Sequence, residues 1–113
     1  MTLGKKQELF SRLLVKLMIF MHERGYEIRG GDWYRDHRVH GNPGEKMGYS
    51  HKDSCHKFKL ATDLNLFKDG VYLTLDKDHE PFGIYWESLH PLCRWGGRFK
   101  DGNHYSIEHQ GVK

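Results

Sequence analysis

An α+β fold is expected, with an N-terminal helix packed on a small, mainly antiparallel sheet. Three observations predict it. Phe10, Leu13, Leu14, Leu17, Met18 and Met21 fall at i, i+3, i+4, i+7, i+8 and i+11, which is one apolar helical stripe. Leu60, Thr62, Leu64 and Leu66 alternate with Ala61, Asp63 and Asn65, as the two faces of a strand do. Asp69-Gly70, between apolar runs, is a two-residue hairpin signal. The 13 glycines and the many aromatic residues favour a loop-rich mixed fold over a helical bundle. With 113 residues, the chain 1–113 is expected to form one domain around one core.

Each element has its own reason. Lys16, Glu23 and Arg24 fall off the apolar stripe of the first helix. Gly25 suits the position just past its end, and His22 and Arg24 suit the negative end of its dipole. Tyr26 to Arg35 reads as a strand, a Gly30-Gly31 turn and the start of another strand. Residues 36–53 are polar and rich in glycine, with Pro43 and the histidines His37, His40 and His51, so a long loop is expected there. After the hairpin come a strand over Val71–Leu75, a charged turn over Asp76–Pro81, and a short helix or irregular segment over Ile84–Leu92. Trp95-Gly96-Gly97 lets backbone approach closely, and His104–Glu108 reads as a last strand.

Composition limits the partners. The formal charge is +3, with Lys and Arg scattered rather than striped, so no nucleic acid is expected. Cys55 and Cys93 cannot make a disulfide framework and show no Cys-x-x-Cys spacing, which suits free thiols. Lys16 interrupts the N-terminal apolar run and no small-residue cleavage site follows it, so no secretory signal is expected. No stretch is clean enough to span a membrane, and a soluble monomer is expected.

The candidate chemistry lies in two fragments. Ser54-Cys55-His56 to Asp63 holds a histidine and an aspartate seven apart, and Asp101-Gly102-Asn103-His104 adds another pair. Two histidines and a carboxylate are a common ligand set for a catalytic zinc, because they leave a fourth position open. His56, Asp63 and His104 are the candidate ligands, and Asp101 is a spare carboxylate where hydrolysis needs a general base. A bland alternative stands beside each: a surface histidine for His56, a structural ion pair for Asp63, and a plain turn for Asp101 to His104. An odd spacing puts His56 and Asp63 on opposite faces of a straight strand, so His56 must precede the strand and fold back.

Together these residues resemble the zinc peptidases that cut bacterial peptidoglycan peptides, a superfamily that includes D-alanyl-D-alanine peptidases of the VanY and VanX kind and the L-alanyl-D-glutamate endopeptidases of phage endolysins. The first motif of that superfamily is approximately S-x-H-x-x-G-x-A-x-D. Ser54, His56, Ala61 and Asp63 match it, with Lys59 where glycine is usual. The second is W-G-G followed by D-x-x-H and an aromatic, and Trp95, Gly96, Gly97, Asp101, His104 and Tyr105 match. Tyr34-Arg35 fits an aromatic-arginine pair found upstream of both. Ser106 stands where a glutamate often follows, and Asp36-His37-Arg38 replaces the usual small polar residues and glutamine. The resemblance covers about residues 25 to 110 and is closest to the endolysin branch.

The resemblance implies that His56, Asp63 and His104 hold Zn2+ at the edge of the sheet and that Asp101 is the base. It implies Arg35 as the oxyanion partner, with Arg29 and Arg38 as rivals, and Ser54 as a substrate-site residue. The implied activity is hydrolysis of the L-Ala–D-Glu bond of the peptidoglycan stem peptide, with lysis of the bacterial host. The implied location is the host cytoplasm, with access to the periplasm at lysis. The alternatives are a D-alanyl-D-alanine carboxypeptidase on the same fold, a non-catalytic zinc-stabilised wall-binding module, and a small histidine-metal nuclease.

Overall fold

The computed structural model describes residues 1–31 and 58–111. The first helix, α1, runs Leu3–Glu23, and Thr2 caps it by accepting the Lys5 N–H. Phe10, Leu13, Leu14, Leu17 and Met21 are its buried face, as their spacing predicts. Gly25 follows with φ +87°, a left-handed conformation that glycine adopts without strain.

Strand β1 is Glu27–Gly30 and pairs antiparallel with β2, Ala61–Lys68. The Asp69-Gly70 turn returns the chain into β3, Val71–Leu73, antiparallel to Leu66–Lys68 of β2. Strand β4, Cys93–Trp95, and strand β5, His104–Ile107, complete the sheet in the order β1-β2-β5-β4, with β3 also on β2. β5 pairs with the start of β2 and β3 with its end, both on the edge opposite β1. The α+β class is as expected, and Leu60, Thr62, Leu64 and Leu66 are all buried on one face.

The region after the hairpin departs from expectation. Asp76–Pro81 is not a turn: it begins a second helix, α2, Asp76–Leu89. The charges that suggest a turn are N-terminal helix chemistry. Asp78 Oδ2 accepts the Leu75 N–H at 3.1 Å, and Asp76 and Asp78 both face the positive end of the helix dipole. Pro81 lies within the helix at the cost of one backbone hydrogen bond. His79, Phe82, Gly83 and Trp86 form its buried stripe, which outweighs that loss. The expected strand Val71–Leu75 ends at Leu73, and Cys93–Trp95, near the close-approach glycines, is itself a strand.

The two helices and one face of the sheet enclose the core. Phe20 stacks on Tyr85 with centroids 3.8 Å apart, and Phe10 meets Trp86 edge-on. The Trp86 indole N–H is shared between the Arg94 and Ser106 carbonyls, tying α2 to β4 and β5. Cys93 is a free, buried thiol whose pKa desolvation pushes up to about 12, so it is inert at neutral pH.

Candidate metal centre

Two strands deliver the centre. Asp63 and His104 are directly paired on β2 and β5, so their side chains stand on one face of the sheet, opposite the core face of Leu64. His104 Nδ1 lies 3.5 Å from Asp63 Oδ1. Two ligands bonded to one tetrahedral zinc at about 2.0–2.1 Å stand about 3.4 Å apart, so this spacing fits a shared ion. Asp101 Oδ2 is 3.8 Å from the same nitrogen, and all three residues offer ligand atoms within 4.8 Å of one another. The His104 side chain is 7% exposed, that of Asp63 18%, and that of Asp101 51%. Two groups are thus sunk in the sheet, and the third stands at the solvent side, where a base can exchange protons.

The turn that carries Asp101 is built by the motif around it. Gly96–Phe99 is a 3-10 turn, and the Gly96 carbonyl accepts the Asp101 N–H at 2.8 Å. The His104 N–H returns to the Asp101 carbonyl at 3.0 Å, which fixes the two side chains one turn apart. A Cβ on Gly96 would lie 2.0 Å from the Asp101 carbonyl oxygen and 2.6 Å from His104 Cβ. Trp95 is core rather than a substrate platform: its indole donates to the Gly102 carbonyl at 2.8 Å, and its ring lies against Gly83 and Gly97. The Gly102 N–H donates to Asp76 Oδ1 at 2.9 Å, so the start of α2 holds the turn from the other side.

Of the sequence-predicted site residues, Asp63, Asp101 and His104 come together. Arg35, Ser54 and His56 lie outside the described residues, as do the 36–53 loop, Cys55 and Arg38. Arg29 is described. It pairs with Asn65 and stands on the site face, but its guanidinium stacks 4.1 Å from the Phe67 ring centroid, on the side away from Asp63. Asn103 donates to Asn65 Oδ1 at 3.1 Å, and Tyr72 reaches the same oxygen. His109 packs tilted against the Phe58 ring, and its Nδ1 is 3.2 Å from Lys6 Nζ.

Sequence reasoning missed His79 and Asp76. His79 is buried on α2, its Nδ1 is 2.8 Å from the Tyr105 hydroxyl, and desolvation lowers its pKa to about 4 against the opposing pull of Asp78 and Asp76. The signal was the spacing His79, Phe82, Gly83, Trp86, which is a helical stripe hidden behind a proline. Among the described residues no helix is long and apolar enough to cross a membrane. Comparison with protein-family models, with curated proteins and with solved structures found no match.

Proposed function

We propose that this chain is a zinc-dependent peptidase that hydrolyses the L-Ala–D-Glu bond of the peptidoglycan stem peptide, as a phage endolysin does. The observation that carries the proposal is the convergence of Asp63, His104 and Asp101, from separate parts of the chain, within 4.8 Å. A second observation supports the resemblance. Lys59, which occupies the usual glycine position of the first motif, has φ +59°, the left-handed conformation that favours glycine.

Asp63 and His104 would hold the ion, with His56 as the third ligand that the resemblance implies. When bound, zinc supplies a Lewis acid and makes water nucleophilic at neutral pH. The chain's own groups do the rest. Asp101, half-exposed and anchored by its backbone to Gly96, accepts the proton of the attacking water and passes it to the leaving amine. Arg35 is the proposed partner of the developing oxyanion.

The test is Asp101→Ala, with zinc content and the products of purified Gram-negative sacculi measured together. A base predicts retained zinc and no turnover. Wild-type products that begin with D-Glu, with L-Ala left on the glycan, establish the bond. Release of D-alanine alone moves the activity to the carboxypeptidase. Zinc binding with no products in the wild type refutes peptidase action on this wall and leaves a wall-binding module.

A further inference from the structure

A cavity of about 230 Å³ opens beside Asp101, between the end of β3, the start of α2 and the turn at Lys100–Asn103. His79 lines it, together with Asp76, Lys100, Asp101 and Asn103. The state of His79 follows from its partner. Tyr105 is fully buried, and its hydroxyl has one hydrogen-bond partner among the described residues, His79 Nδ1. A buried hydroxyl proton left without an acceptor is costly, so the hydroxyl donates and Nδ1 accepts. The ring proton must then sit on Nε2, on a ring that lines the cavity. His79 is also held neutral at neutral pH, because burial opposes its protonation.

The cavity therefore holds a neutral N–H donor and the candidate base in one lining. Its ligand must bring a hydrogen-bond acceptor. The ionisable neighbours decide which kind. Asp76 and Asp101 are carboxylates and Lys100 is the ammonium among the lining residues, an excess of negative charge that disfavours a free carboxylate. A peptide carbonyl is neutral and suits the donor.

We propose that this cavity is a substrate subsite in which His79 Nε2–H binds a backbone carbonyl oxygen of the stem peptide, next to the bond that Asp101 serves. The subsite deepens the peptidase assignment and rests on it for the identity of the ligand. Tyr105 is a positioning residue: it holds the tautomer and touches no substrate.

Two measurements on the intact chain test this. Long-range 1H–15N spectra of the histidine rings report the tautomer directly, and the Nε2–H form of His79 is expected. The second uses blocked N-acetyl-L-alanyl-D-glutamic acid diamide as a probe, titrated into the wild type and into the double variant His79→Leu/Tyr105→Phe. Removing both partners of the buried pair leaves no orphaned polar group, so the variant is expected to fold and bind zinc as the wild type does. The probe should shift the His79 ring signals, and its affinity should fall about three- to tenfold in the variant, as for one lost neutral hydrogen bond. For cleaved substrate the loss should appear in KM with kcat kept. The opposite tautomer, no probe binding to the wild type, or equal affinity in both proteins overturns the subsite. Probe binding that depends on His79 in a protein that cleaves nothing leaves the subsite standing and removes the peptidase.

Discussion

Acid should destabilise this fold through His79, by an amount that follows from its burial. The imidazole is 3% exposed, bonded to a fully buried tyrosine, and its pKa falls from 6.5 to about 4. In the unfolded chain the same ring takes a proton near pH 6.5. Between about pH 6.5 and 4 the unfolded state therefore binds more protons than the folded state, and stability falls as pH falls through that window. Above the window both states are neutral at His79; below it both are charged and the loss is complete. A drop of this size corresponds to about 3 kcal/mol, or roughly 13 °C in Tm for a chain of this length. The assay is thermal unfolding of metal-free protein from pH 7.5 to 4, for the wild type and for His79→Leu/Tyr105→Phe. His109, whose pKa is lowered by desolvation and by Lys6, titrates in both proteins and cancels in the comparison. The wild type should lose about 3 kcal/mol more than the variant across the window. Parallel curves would refute the burial argument.

Other perturbations have defined outcomes. Gly96→Ala drives a methyl into the Asp101 carbonyl and His104 Cβ, so it should cost at least about 2 kcal/mol and abolish zinc binding; calorimetry and zinc titration check both. Lys59→Gly should raise stability by up to about 1 kcal/mol in urea unfolding, because the backbone there is left-handed. Zinc at a hundred times its Kd should stabilise the wild type by about 2.7 kcal/mol, and Asp63→Asn should remove most of that gain in a thermal-shift assay. Asp76→Ala leaves the Gly102 N–H without its 2.9 Å acceptor, so faster amide exchange is expected across 101–104, at a cost of about 1 kcal/mol.

Much of this was legible in the residues alone. The stripe from Phe10 to Met21 gave α1, and the alternation from Leu60 gave β2, because burial on one side imposes each period directly. Helix α2 was not legible as a unit. Its opening, Asp76 to Pro81, has turn composition, and a proline usually closes a helix; here the buried run His79, Phe82, Gly83, Trp86 overrides it. Asp63, Asp101 and His104 were named from sequence, but their meeting was not a local property.

By itself, the sequence determined which segments could bury an apolar face and which side chains offer groups that could hold a metal. Tertiary structure alone decided that Asp63 and His104 are cross-strand partners and that Gly96 brings Asp101 beside them. It also decided that the Tyr105 hydroxyl meets His79. The physical reason is range. Periodicity and capping act between residues a few positions apart, whereas strand register and the closure of α2 over the sheet are set by which packing of the whole core leaves the fewest buried polar groups unpaired.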